Sequence, residues 1–430
     1  MKRTAVLLIL GILLFSNYSF VFAQENTYPK DEAILAAFKE EAMQEAFQEI
    51  EMSALLDGVE KEGVGQSSEL SFESHPYFES DLIYNDNIWH VADDVKDDLY
   101  LYLNPGVKLA LSNILELYSN KLRQKLEFDL GAKITHSFYE SVALNNESPY
   151  GRLTYILDGG KNKLRLSNEF IKGYDLSSEL VSDTEGLSSF YGNTTALSWE
   201  HSFNRLGFSL GYERIAREYA KDFKISNSYE DNVGIITGFL NVTPKTRIFI
   251  EYNLGRYEYT KALTDANDYD YNIIWLGANG RLTKKIFGLA KFGYQNYEYA
   301  NGVTKDGMIT VKADLEYRQS LRNTFLLNLS IGDTSTGYVD YGMDRQYSAK
   351  LTFMRELNRK LFFNGFLSYV KDDYKSSQVD NTFSYSLGLN YFFRKTMKMK
   401  LSYEYGDRSS TSRVSEYKYS KYLLGAELEF

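Results

Sequence analysis

The chain has 430 residues, a formal net charge of −10 and no cysteine, with a mean hydropathy of −0.38. The acidic balance argues against nucleic-acid binding, and the lack of cysteine excludes disulfides and thiolate metal sites. Tyr (36) and Phe (27) are abundant and Pro (5) is scarce, the bias of strands and of membrane–water interfaces.

The chain opens Met1-Lys2-Arg3, continues with an apolar run from Ala5 to Phe15, and reaches Val21-Phe22-Ala23. A positive start, a short apolar run and a small residue at the end describe a secretory signal peptide over 1–23. The run falls short of the roughly 20 apolar residues that a spanning helix needs. Removing it leaves 407 residues (430 − 23) with a net charge of −12 (−10 − 2). No later segment offers an unbroken apolar run of helical spanning length.

Residues 24–67 read differently from the rest. Asp31 to Asp57 is rich in Ala, Glu, Gln and Met, good helix formers. Met43, Phe47, Ile50 and Ala54 fall on one helical face, and Gly58, Gly63 and Gly65 then break the pattern. The segment reads as a periplasmic helix or linker, with a lumen plug or a partner-docking helix as the alternative.

From 68 to 430 the pattern has period two. Met397, Met399, Leu401, Tyr403 and Tyr405 alternate with Lys398, Lys400, Ser402 and Glu404; Ile309, Val311, Ala313, Leu315 and Tyr317 alternate with Thr310, Lys312, Asp314 and Glu316. Each strand thus has one apolar and one polar face. A soluble sandwich alternates too, so length decides. These runs exceed the 5 or 6 residues of common soluble strands and match the roughly 9 to 11 of a tilted membrane-crossing strand. Short turns such as Asn204-Arg205, Pro244-Lys245 and Arg394-Lys395 alternate with longer polar stretches near 175–190, 219–228, 335–344 and 406–415. Short periplasmic turns and longer external loops are the outer-membrane arrangement. The expected fold is all-β: a transmembrane antiparallel up-and-down barrel of about 18 strands (16–18). The strands are placed near 70–84, 97–111, 122–138, 149–158, 164–174, 191–202, 206–218, 229–242 and 246–260, then near 269–281, 286–299, 306–319, 323–334, 345–356, 360–372, 382–394, 397–407 and 416–430. An even count puts both ends on the short-turn side.

Backward from Phe430, the outward set is Phe430, Leu428, Ala426, Leu424 and Tyr422. A terminal aromatic with apolar residues at every second position resembles the C-terminal assembly signal of outer-membrane barrels, which implies recognition by the barrel-assembly machinery. The polar faces supply candidates for a substrate path: Lys312, Asp314, Glu316, Lys350, Lys398, Lys400, Glu404, Tyr419, Glu427 and Glu429. A single-sign ring would select ions of the other sign; mixed signs with Asn, Ser and Tyr suit a neutral or weakly charged hydrophilic solute, or simply keep a channel wet. Inward Tyr such as Tyr257 and Tyr419 offer flat faces for sugars.

Enzymatic readings fare poorly. The His136-Ser137-Phe138 and His201-Ser202-Phe203 sequences place His next to Ser, yet adjacent strand residues point to opposite sides, so neither is a nucleophile–base pair by itself. Asp265, Asn267, Asp268 and Asp270 crowd one loop without the Gly and closing Glu of a helix-loop-helix calcium site, and a solvated acidic loop is the preferred reading. No metal and no cofactor is expected.

Tyr84-Asn85-Asp86-Asn87-Ile88, then Asp97-Asp98, then Leu103-Asn104-Pro105-Gly106-Val107 resemble the start of the putative beta-barrel porin family type 2, outer-membrane barrels associated with exopolysaccharide export clusters. The resemblance implies an outlet for a secreted exopolysaccharide in a Gram-negative outer membrane, amid lipid and lipopolysaccharide, with polysaccharide as cargo and a periplasmic polysaccharide-export protein as partner. The helical stretch before the barrel has no match to that pattern. The competing readings are a general diffusion or uptake porin for small hydrophilic solutes and a non-conducting surface barrel acting as adhesin or structural element.

Overall fold

The computed structural model describes residues 71–430 except 89–94, 118–119, 139–144, 177–186, 221–226, 262–267, 301–303, 336–342, 375–377 and 412–415. The expected signal peptide and the 24–67 segment lie outside the described residues.

Eighteen strands follow one another. The first six are β1 (Ser71–Asn85), β2 (Asp98–Leu117), β3 (Asn120–Ser137), β4 (Asn146–Asp158), β5 (Asn162–Leu176) and β6 (Leu187–Phe203). The next six are β7 (Leu206–Tyr219), β8 (Tyr229–Thr243), β9 (Thr246–Tyr259), β10 (Tyr269–Arg281), β11 (Ile286–Tyr299) and β12 (Thr304–Ser320). The last six are β13 (Asn323–Ser335), β14 (Met343–Asn358), β15 (Leu361–Tyr374), β16 (Val379–Arg394), β17 (Met397–Ser410) and β18 (Tyr417–Glu429). Each pairs with its chain neighbours, and β18 closes on β1 in antiparallel register from Tyr77↔Glu429 to Asn85↔Lys421. Closure removes both sheet edges, as a spanning sheet requires in hydrocarbon.

The expected strands are all present, but several run longer than alternation suggests. β4 begins at Asn146 and β6 at Leu187, so the connection expected near 175–190 shrinks to 177–186. Alternation is enforced only where one face meets lipid; beyond that band the backbone ladder alone carries the strand. At the rim where β1 begins and β18 ends, the connections are short, and Asn204 takes a left-handed φ of 63° in the Asn204-Arg205 turn, a conformation Asn tolerates well. At the other rim the connections run from 300–303 up to 86–97.

Which face is the lumen follows from side-chain reach, because side chains converge on the concave side. Arg247 on β9 reaches Glu200 on β6 at 2.8 Å, passing β7 and β8. Lys291 on β11 reaches Glu251 on β9 at 2.9 Å, and Lys400 on β17 pairs with Glu79 and Asp81 on β1. The opposite face carries exposed apolar residues such as Ile236, Ile250, Ile274, Leu276 and Phe292. It is edged by aromatic contacts at both rims: Trp199–Phe208 (5.3 Å) and Tyr391–Phe393 (4.7 Å) near the short turns, Tyr403–Tyr422 (5.0 Å) and Tyr385–Tyr405 (5.5 Å) near the longer connections. On β16 the outward run from Phe383 to Phe393 spans about 25 Å along the membrane normal at a tilt near 40°, the height of the apolar band of outer-membrane barrels.

Candidate functional site

Register places all ten candidate path residues on the inward face. Lys312, Asp314 and Glu316 lie on β12, Lys350 on β14, Lys398, Lys400 and Glu404 on β17, and Tyr419, Glu427 and Glu429 on β18. They form two pillars, β12 on one side and β17–β18 on the other. Most of their charges are matched locally. Lys312 faces Asp314 at 3.8 Å, Glu316 pairs with Arg318, and Lys398 pairs with Glu427 at 2.6 Å. Glu404 accepts the Tyr419 hydroxyl at 2.7 Å. Lys400 sits between Glu79 and Asp81, an ionic clamp reaching over β18 at Gly425, where an added Cβ would strike the Asp81 carboxylate.

Between the pillars runs a wall of different chemistry. From Thr324 to Gly332 on β13, Gln346 to Met354 on β14, Phe362 to Val370 on β15 and Thr382 to Phe392 on β16, Lys350 is the one ionisable residue that register turns inward. The others include Asn328, Ser330, Ser348, Thr352, Ser368 and Ser384. Asn390 donates to Asn364 at 3.1 Å, and Asn328 donates to Asp314 at 3.0 Å where the wall meets β12. Phe362 and Phe392 meet edge to face at 5.4 Å, and the Lys350 ammonium lies 4.4 Å over Phe366. Hydroxyls, amides and half-buried rings thus form a nearly charge-free lane along one side of the lumen.

The opposite wall, β1 to β5, is charged but again paired. Lys125 meets Glu127 at 2.5 Å and Arg152 meets Glu169 at 3.3 Å. The Tyr77 ring lies across Gly106, where any Cβ would overlap it, and its hydroxyl donates to Asp129 at 2.8 Å. Tyr271 repeats the arrangement over Gly255, donating to Asp231 at 3.0 Å. Near the longer-connection rim, Tyr257 stacks on Tyr269 at 5.1 Å within a buried cluster that includes Tyr259, Tyr297 and Tyr299. Tyr257, read from sequence as an open stacking face, is therefore spent on packing. Partners that meet across an intervening strand were not readable in sequence, because Lys400 and Glu79 are 321 residues apart.

The terminal set Tyr422, Leu424, Leu428 and Phe430 faces outward, and the Phe430 amide donates to the Pro76 carbonyl at 2.9 Å, at the β1–β18 seam. Asn85, Asp86 and Asn87 occupy the far end of the same seam. Asp86 exchanges hydrogen bonds with the Ser420 backbone, and Asn87 donates its side-chain amide to the Lys418 carbonyl at 2.7 Å. The Asp-Asn element thus lies at the barrel closure.

Ser137 gives its hydroxyl to Asp98 at 2.6 Å on the inward face, whereas His136 packs on Phe138 on the outward face; His201 likewise packs on Phe203, outward, and pairs with Asn162. Asp265 and Asn267 lie outside the described residues. Asp268 accepts the Tyr259 amide at 2.8 Å, and no cluster of three metal-ligating side chains occurs among the described residues.

The family model named Putative beta-barrel porin 2 matches residues 71–430. No curated protein matches the sequence. Among solved structures, the chain is similar to Pseudomonas aeruginosa OccK2 (OpdF), with 11% identity, 84% of this chain and 98% of that chain covered, and a TM-score of 0.49. Acinetobacter baumannii OccAB4 gives 14% identity, 83% and 98% coverage and a TM-score of 0.46. Pseudomonas aeruginosa OpdK with vanillate gives 12% identity, 83% and 99% coverage and 0.44. Likeness at this level leaves the cargo to be argued from this chain's own lumen.

Proposed function

The chain belongs to the Putative beta-barrel porin 2 family, and on that premise we propose that this outer-membrane, porin-like barrel is a passive conduit for a neutral, hydroxyl-rich solute, used as the outlet of a secreted polysaccharide. The observation that carries the reading is the lane on β13–β16. A sugar chain presents hydroxyl rims and apolar ring faces in alternation. Ser, Thr and Asn offer hydrogen bonds to the first, and Phe362, Phe366 and Phe392 offer contact to the second. Conduction needs contacts that are favourable but individually weak, so that the solute enters and also leaves. A wall of single hydroxyls and amides meets that demand better than a deep charged pocket.

The paired pillars support the same reading. Charges neutralised within a few ångströms hold water in the lumen without a strong field of either sign. The charges keep the wall hydrated, and the lane handles the cargo. Passage breaks and makes no covalent bond, so no nucleophile, cofactor or metal is required of the barrel. Tyr422, Leu424, Leu428 and Phe430 are read as the elements the assembly machinery engages. A periplasmic export protein would deliver polymer at the short-turn rim.

A deletion strain tests the export use. Loss of extracellular polysaccharide, restored by the intact gene, is the expected result. Unchanged polysaccharide would remove the export use and leave uptake of small saccharides through the same lane, which solute-driven swelling of proteoliposomes would then register.

A further inference from the structure

The short connections of the barrel share one sign of charge. Seven of them, between β4 and β17, consist of residues 159–161, 204–205, 244–245, 282–285, 321–322, 359–360 and 395–396. Together they hold nine Lys and Arg and no Asp or Glu. All nine cations are exposed, Lys161, Arg205, Lys245, Arg322, Arg359 and Lys395 among them. The nearest carboxylates along the chain, Asp158 and Glu356, belong to strand ends, and Asp158 is engaged by the Gly160 amide at 2.8 Å. The opposite rim differs. Its nine connections, from 86–97 round to 411–416, hold thirteen Asp and Glu against six Lys and Arg. A basic ring thus marks one mouth of an otherwise acidic molecule.

We propose that this ring is the docking surface for the chain's own residues 24–67, held across the short-turn mouth. Charge complementarity carries the inference. The segment has eleven Asp and Glu and three Lys, a net charge of −8 (3 − 11), against the nine cations of the turns. Its place in the chain supplies proximity, because it leads into β1, whose first residue, Ser71, lies at the rim of the short turns. Tethering of this kind holds the segment near the ring at an effective concentration of about a millimolar. Reach is sufficient. Even as a random coil, 44 residues (67 − 24 + 1) span about 36 Å, about the width of a barrel of eighteen strands. Attraction between exposed charges is modest pair by pair, so many weak contacts hold the segment. Screening governs such contacts, since the Debye length falls from about 10 Å at 0.1 M salt to about 3 Å at 1 M. Docked there, the segment stands in the approach to the lumen instead of filling it. The inference is independent of the cargo and of the direction of transport.

The test is zero-length cross-linking of the full chain in neutral detergent with a carbodiimide, which joins a carboxylate to an amine, followed by peptide mass spectrometry. At about 0.05 M NaCl, where charges act over more than 10 Å, cross-links are expected from carboxylates such as Glu41, Glu45 and Glu49 to Lys161, Lys245, Lys284 and Lys395. They should be lost at about 1 M NaCl. The variant Arg205→Glu/Arg322→Glu/Arg359→Glu keeps those lysines as reporters while reversing three charges of the ring, and it should lose most of the cross-links at the lower salt. Heat-modifiable gel mobility verifies that the variant is folded. Absence of cross-links from the segment at low salt overturns the proposal, as do cross-links that survive unchanged at high salt or in the triple variant. Repeating the reaction in phosphatidylglycerol vesicles exposes the rival occupant. Turn lysines that lose their cross-links to the segment there are claimed by anionic lipid headgroups, which also overturns the proposal, whereas cross-links retained in the vesicles support it.

Discussion

Tyr77 over Gly106 and Tyr271 over Gly255 show how single residues build the inner wall. The ring lies flat because the neighbouring strand offers no Cβ, and the hydroxyl then reaches a carboxylate beyond it. Gly255→Leu forces the Tyr271 ring off its seat, and overpacking of this kind costs about 1–3 kcal/mol. The urea midpoint of refolded protein should fall accordingly. Tyr271→Phe keeps the ring but strips a hydrogen bond from Asp231, and about 1–2 kcal/mol should be lost. An unchanged midpoint for G255L would mean that the ring has another place to go. Lys400→Met is a sharper probe, since it leaves Glu79 and Asp81 facing each other without their cation. Removing one partner of a buried pair costs about 3–5 kcal/mol. Lumen water screens part of that, so a loss of about 1–3 kcal/mol is expected.

At the scale of strands, the two faces obey different solvents. Leu276 faces the bilayer and Ser368 faces the lane, so the same charge should have unlike effects. Leu276→Arg should cost about 2–4 kcal/mol, as charges near the bilayer midplane do in such barrels, whereas Ser368→Arg should leave folding into liposomes nearly unchanged. Comparable losses at both positions would mean that the inside–outside assignment is wrong by one residue. That assignment was legible in the sequence because period two is imposed residue by residue: Lys398, Lys400 and Glu404 read inward and Met399, Leu401 and Tyr403 outward without knowledge of any partner. The seam was not legible in the same way. Asn85-Asp86-Asn87 could be recognised as a pattern, but its use as a latch on Lys418 and Ser420 depends on a closure that brings the two ends of the chain together. Strand ends at Asn146 and Leu187 were missed for a related reason. Past the lipid band no solvent contrast forces alternation, and only the hydrogen-bonded neighbour reveals that the strand continues.

For the whole molecule, the governing fact is the arrangement of charge around the lumen. The pillars at β12 and β17–β18 and the wall at β1–β5 carry many ionised groups, yet each named pair closes within about one hydrogen-bond length or one ionic contact. A channel built this way should conduct with potassium-to-chloride selectivity near unity, in contrast to a pore lined by one sign of charge. The single charge within the β13–β16 lane, Lys350, is drawn onto Phe366. The sequence identified Lys350 as inward but could not show that its surroundings are neutral, because the lane exists only when four strands are laid side by side in register.

The most direct test of the lane is the single-channel current of the full chain in a planar bilayer with a neutral oligosaccharide added on one side. Brief, reversible, concentration-dependent blocks are predicted, weakened in the double variant Phe362→Ala/Phe366→Ala while the open current stays the same. An open channel whose current ignores neutral oligosaccharides, or whose blocks survive loss of both rings unchanged, would contradict a saccharide path along β13–β16.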